Sequence, residues 1–206
     1  MNLAHEPTKI LVTGQSGSGK TTFWTRYVVN TAARVKFIYD HEGEFSYRAG
    51  IAPARTIEEL GRAAHTPWCV FDPAGMFPGD AEAGWQFFCD FAFQVSNQIR
   101  GRKLLCTDEL QKITDTHKLS KPFATVLETG RRYELDCAFI AQQPNLLHNR
   151  VRNQLTEVVS FLQLDHNAIG WLEGIGFDGR ALPALRPGQF LTRNLRNGTS
   201  EAGAVF

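Results

Sequence analysis

The chain carries no excess of charge of either sign: 22 Lys and Arg stand against 21 Asp and Glu, a formal net charge of +1 with the six His neutral. No field covers the whole molecule to draw in nucleic acid or an anionic membrane, so any contact with a polyanion has to be made by a local basic patch. Cysteine is scarce. Cys69, Cys89, Cys106 and Cys137 are the four, and no two lie within three residues of each other, which excludes a CxxC pair for zinc or redox chemistry. Three of them sit in apolar runs, where a thiol behaves as a small hydrophobe, so all four read as reduced core residues of a cytosolic protein. No apolar run approaches the ~18 residues of a membrane span. Glu6 and Pro7 stand where the apolar part of a signal peptide would be. The His residues show no metal spacing; His41, between Asp40 and Glu42, reads as part of a strand-end loop. Internal repeats and low-complexity segments are absent.

What is there is an ordinary soluble composition, 43% hydrophobic and 21% charged over 206 residues. At ~150 residues per domain this is one domain, 1–206. A chain of this size hides roughly 70% of its unfolded surface. Short apolar runs punctuate it: KILVT (9–13), VKFIY (35–39), WCVF (68–71), 104–107, 135–141 and 158–162, with a weak last run at 188–192. They alternate with helix patterns at 20–33, 57–64, about 81–100, 122–129 and about 165–173. Thr56 and Glu59 form a capping-box signal for the second of these, and Pro122 can start the fourth. Strands that are apolar throughout, alternating with helices, predict an α/β fold with a mostly parallel central sheet flanked by helices on both faces.

Gly14-Gln15-Ser16-Gly17-Ser18-Gly19-Lys20-Thr21 fits G-x-x-x-x-G-K-[ST], and Thr22 follows it. It sits between a predicted strand and a predicted helix, as a phosphate loop must. Its glycines let consecutive N–H groups curl around a phosphate, and the helix N-terminus adds its positive end. Lys20 would reach the β- and γ-phosphates, and Thr21 would place its hydroxyl on Mg²⁺. The ligand is therefore expected to be ATP with Mg²⁺.

The strand ending at Thr107 runs into Asp108-Glu109. In a phosphate-loop protein, an Asp at a strand end can hold the Mg²⁺ shell, and the adjacent Glu can polarise an attacking water. A water-activating Glu suits hydrolysis coupled to motion; a kinase would not want an activated water. Gln142, after the 135–141 strand, is placed to sense the γ-phosphate if that strand lies beside the loop. Arg131 and Arg132 precede the same strand and are candidates for an arginine that completes a neighbouring subunit's site; a basic turn at a helix C-terminus would look the same. Lys112, Lys118 and Lys121, and separately Arg150 and Arg152, are the stretches that could touch DNA phosphates.

With these residues in view, the chain from the phosphate loop to about residue 163 resembles the FtsK–HerA class of P-loop DNA-pumping ATPases. The segment FIAQQP (139–144) looks like that class's strand-then-Gln motif with a Pro two residues later, and Asn153, Thr156 and Asp40 also fit its pattern. The resemblance implies a P-loop NTPase fold (RecA/ASCE-like), with Gln142 as sensor and a trans arginine at Arg131 or Arg132. A bare motor of this length is most similar to the genome-packaging ATPases of tail-less, membrane-containing viruses. That implies double-stranded DNA as partner, a homo-oligomeric ring such as a hexamer, capsid or viral membrane proteins as anchors, and residence in host cytoplasm or at the virion vertex. Segment 72–79 does not match the class. Three other readings compete. A nucleotide or small-molecule kinase would need an Arg-rich lid. A Zot-type phage-assembly ATPase generally carries a membrane span. A GTPase would use Asp72-Pro73-Ala74-Gly75 as D-x-x-G, but no N-K-x-D or T-K-x-D accompanies it.

Overall fold

Runs of buried aliphatic and aromatic residues form the centre of the computed structural model, which describes residues 6–206. Six of them are parallel strands: β1 (Lys9–Thr13), β2 (Val35–Tyr39), β3 (Trp68–Phe71), β4 (Lys103–Thr107), β5 (Leu135–Ala141) and β6 (Glu157–Ser160). Two more, β7 (Gln189–Asn194) and β8 (Ser200–Ala204), add an antiparallel hairpin at one edge. The order is β3-β2-β4-β5-β1-β6-β7-β8. β1, β2, β4 and β5 are buried along their whole length, because both faces of the sheet are covered.

Successive residues of a strand serve opposite layers. Ile10, Val12, Leu104 and Cys106 pack with Trp24 and Val28 of α1 (Lys20–Asn30) and Phe45 of α2 (Glu44–Ala49). Leu11, Phe37, Leu105 and Phe139 face the other layer, built by α3 (Ile57–Ala63), α4 (Ala81–Gln98), α5 (Lys121–Thr129), α6 (Asn149–Arg152) and α7 (His166–Gly174). The aromatic ladder of α4 drives that side: Trp85 meets Tyr39, Phe123 and Phe139 edge-on, and Phe88 stacks on Phe71. Such pairs add about 0.5–1.5 kcal/mol each beyond their buried area.

Helix starts follow local chemistry. Thr56 and Glu59 form the expected capping box on α3, and Asp80 caps α4 by accepting from Ala83 N at 2.9 Å. All four cysteines are free and buried. Among the described residues no helix is long and apolar enough to cross a membrane, and no group of three or more His, Cys, Asp or Glu could hold a metal.

Several boundaries differ from expectation. α1 ends at Asn30 because Thr31 turns extended, and α4 ends at Gln98, where Ile99 does the same. β6 spans Glu157–Ser160; beyond it Phe161 N donates to Thr13 O at the end of β1, and Leu162 O accepts from Gln15 N in the turn that follows. The weak last strand is real and longer, and it pairs with β8, which has no apolar run to announce it. The short helices α2 and α6 were not expected either. Asp40 nucleates α2, its carboxylate accepting from Phe45 N at 3.1 Å and Ser46 N at 2.8 Å.

Candidate active site

Parallel strands place all their carboxyl ends at one edge, where open α/β sheets bind ligands. The turn after β1 is the phosphate loop. Gly14 takes φ +144°, and a Cβ there would lie 2.7 Å from Phe161 Cβ on the neighbouring strand end, so only glycine fits. Gln15 N donates to Leu162 O at 2.9 Å, tying the loop to that same segment. Gly17 and Gly19 also have positive φ, as a loop of inward-turned N–H groups requires. Lys20 is buried and arches back over the loop, its Nζ donating to Gln15 O at 2.9 Å. Burial pulls its ammonium below the usual lysine range, opposed by the charges of Glu109 and Asp108. Thr21 and Thr22 are half-buried and line the same cleft of about 440 Å³.

The N-terminus of α1 differs from those of α3, α4 and α7. Those three are capped by Thr56, Asp80 and Asp165, whereas α1 has no side-chain cap and no acidic residue in its first turn. Its unpaired N–H groups and positive dipole end are left for an anion.

β5 lies between β1 and β4, so the residues after these three strands converge. Asp108 and Glu109 are buried at the end of β4. Gln142 Nε2 donates to Glu109 Oε1 at 2.8 Å, 33 residues apart in sequence. Gln111 Nε2 donates to the other oxygen, Oε2. Glu109 itself takes the left-handed conformation, φ 48° and ψ 48°, which reverses the chain directly after the strand. Burial, joined by the charge of Glu109, pushes the Asp108 carboxyl up to about 7. Behind Gln142, Gln163 Nε2 donates to Thr13 Oγ1 at 2.9 Å and bridges the strand ends.

The cleft therefore unites Ser16, Gly17 and residues 19–22 of the loop with Glu109 and Gln142, and Glu42, Glu44 and Lys112 also line it; Asp108 is buried beside Glu109. Arg131 and Arg132 are not brought to it. Both are exposed in the turn before β5, at the opposite edge of the sheet; β5 has 7 residues, so Gln142 is roughly 20 Å away. Asn153 and Thr156 also lie at that far edge, where Thr156 Oγ1 accepts from Lys9 N at 2.8 Å. Asp40 serves as a helix cap. His41 stacks on Tyr39 at the end of β2, as a strand-end residue. Asp72 of D-x-x-G ends the edge strand β3, where it caps its own turn and pairs with Arg55. Arg150 is paired with Glu128, Lys112 with Glu42; Lys118 and Lys121 are exposed.

Sequence reasoning missed Gln111, Arg48 and Phe206. Gln111 lies two residues past the acidic pair, and nothing in its neighbourhood marks it. Arg48 enters the cleft on α2, ion-paired to Glu44 at 2.7 Å. Phe206 arrives because the β7–β8 hairpin clamps the phosphate loop: Gly188 N donates to Ser18 O and Val205 N to Gly188 O, both at 2.9 Å.

No protein-family model matches the chain, and no curated protein does. Solved structures do. The genome packaging NTPase B204 from Sulfolobus turreted icosahedral virus 2, in complex with ATP-gammaS, superposes with a TM-score of 0.76 at 15% identity, covering 98% of this chain and 100% of that one. VirB4 of Thermoanaerobacter pseudethanolicus gives 0.71 at 12% identity, covering 96% and 89%. The N-terminal domain of zonular occludens toxin from Neisseria meningitidis gives 0.51 at 12% identity, covering 97% and 95%. The chain shares its P-loop NTPase fold with these structures.

Proposed function

We propose that this chain is an ATP-hydrolysing motor that translocates double-stranded DNA, packaging a viral genome as a homo-oligomeric ring with a hexamer as its working size. The observation that carries the hydrolase reading is the 2.8 Å contact between Gln142 and Glu109 at the strand edge that also bears the phosphate loop. It supports the reading because a carboxylate and a polar amide then flank the place where a γ-phosphate would lie. Support for packaging is the end-to-end correspondence with a protein described as a genome packaging NTPase.

In this reading the N–H groups of residues 16, 17 and 19 and of the α1 N-terminus hold the phosphates, those of Gln15 and Ser18 being bonded to Leu162 O and Gln15 O, and Lys20 neutralises the β- and γ-oxygens. The residues fit a Mg²⁺ ion: the Thr21 hydroxyl is available, and Asp108 is a buried carboxyl whose ionisation a divalent cation would restore. When bound, that ion offsets charge on the phosphate oxygens. Glu109 takes the proton from a water as its oxygen attacks the γ-phosphorus, and ADP leaves. Gln142 donates to the γ-phosphate and thereby reports its presence. Arg131 or Arg132 acts on the next subunit's site, since neither reaches its own. Lys112, Lys118, Lys121, Arg150 and Arg152 are the DNA-facing candidates, at phosphates and without sequence reading. Capsid or viral membrane proteins would anchor the ring at the virion vertex or in the host cytoplasm.

The test is steady-state ATP hydrolysis with and without double-stranded DNA across a salt series. Stimulation that falls as salt rises is expected. Turnover indifferent to DNA at every salt, or turnover that requires a nucleoside or small-molecule acceptor, overturns the motor reading, the latter in favour of a kinase.

A further inference from the structure

The cleft has two unlike ends. Glu109 and Lys112 follow β4, Gln142 follows β5, and Glu42, Glu44 and Arg48 follow β2. Every charged or amide side chain that lines it among the described residues, Lys20 apart, therefore stands on the β2–β4–β5 side. The other end lies over β6 and β7. There the large side chain on the cleft is Phe206, and the rest of the lining is phosphate loop and the first turn of α1.

Phe206 is 79% exposed, yet it is held in place. Val205 N donates to Gly188 O, and the Arg26 guanidinium donates to Val205 O, so the backbone before the ring is tied to both β7 and α1. The ring lies against Gly188, where a Cβ would strike it. Gly188 in turn lies on the loop: its N–H donates to Ser18 O at 2.9 Å, and a Cβ on Gly19 would come within 3.3 Å of its Cα. One side of the ring is taken up by backbone and the other is open beside the phosphate loop. A flat apolar partner would cover it.

A triphosphate laid on the loop has a direction. Its γ-phosphate belongs beside Glu109 and Gln142, at the ends of β4 and β5. β7 lies three strand spacings beyond β5, about 14 Å. The ribose and base are thus carried past the start of α1 toward Phe206. Resting on the nucleotide-binding reading above, we infer that Phe206 is the platform on which the base of the nucleotide stacks, brought to the site by the β7–β8 hairpin. Stacking uses the π-face that every base has and leaves the hydrogen-bonding edge unread. With no charged or amide side chain lining that end of the cleft, the site grips purines by their larger face and does not tell adenine from guanine.

The test is calorimetric titration, with Mg²⁺ present, of wild type, Phe206→Ala and Phe206→Trp. The probes are the β,γ-methylene analogues of ATP, GTP and CTP, which resist hydrolysis, and inorganic tripolyphosphate, which has no base. Wild type should bind the two purine analogues within about threefold of each other, and both more tightly than the CTP analogue. Phe206→Ala should weaken the purine analogues by about 5–150-fold and leave tripolyphosphate where it was. Phe206→Trp should keep the purine affinity, and its added indole fluorescence should be quenched by the ATP analogue and not by tripolyphosphate. An alanine variant that weakens tripolyphosphate as much as the ATP analogue overturns the platform, because Phe206 then only props the loop; so does one that binds all four probes as wild type does. A wild type that prefers the ATP analogue over the GTP analogue by tenfold or more overturns the unread edge. A wild type that binds tripolyphosphate as tightly as the ATP analogue overturns the platform alone. One that binds none of the four overturns the nucleotide-binding reading, and the platform with it.

Discussion

Replacing Glu109 by glutamine separates chemistry from binding at this site. The substitution keeps shape, and an amide tolerates the left-handed backbone as well as a carboxylate does. The new side chain offers one acceptor oxygen where two served Gln142 and Gln111, so one of those donors faces an NH₂ group. A buried donor left unpaired costs about 1–3 kcal/mol. Against that, a charge buried beside Asp108 disappears, which relieves desolvation and repulsion. The two effects oppose, and the melting temperature should move by only a few degrees. The loop residues and Lys20 are untouched, so ATP affinity is retained. Loss of the general base, in contrast, removes ~10²–10⁴ in rate, or about 2.7–5.4 kcal/mol of barrier. The assay is phosphate release for kcat, calorimetric titration for ATP affinity, and thermal melting for the fold, on the same preparation. A Glu109→Gln variant that folds, binds ATP and keeps kcat within about threefold of wild type refutes the assignment; another carboxylate would then have to activate the water.

The far-edge position of Arg131 and Arg132 predicts that a chain with both changed to alanine binds ATP normally and loses ~10³-fold or more in hydrolysis, and that mixing it with Glu109→Gln chains restores part of the lost rate, because each supplies what the other lacks at a shared boundary; mixtures no faster than either variant alone rule out action in trans. Alkali should unfold the protein through its buried thiols. Burial pushes Cys69 and Cys137 from the ordinary 9.0 up to about 12. Below pH 9 both native and unfolded thiols hold their protons and the contribution is intact; between pH 9 and 12 only the unfolded thiols ionise, and stability drains away. At pH 10.5 this amounts to about 2 kcal/mol for each of the two, so the guanidinium midpoint should fall well below its pH 8 value. An unchanged midpoint would mean that the native thiols ionise as readily as free ones.

Local signals in the chain were enough to mark the loop after β1, the covered sheet and several helix starts. A β-branched run ending in Gly14, glycines at 17 and 19, and Lys20-Thr21 at a helix start require a phosphate loop, because few other sequences can turn successive N–H groups inward. Apolar runs without alternation require a sheet covered on both faces, and the pair Thr56 and Glu59 writes a helix start into four residues. Each of these depends on neighbours within one turn of chain, which is why it could be read. Sheet order, in contrast, was fixed by packing over long separations. Only the placement of β5 between β1 and β4 brings Gln142 to Glu109, and only the antiparallel hairpin, built from the polar and small residues 200–204, carries Phe206 to the cleft. The same holds for Gln111: its contact follows the backbone reversal at Glu109, a conformation that side-chain identity does not announce.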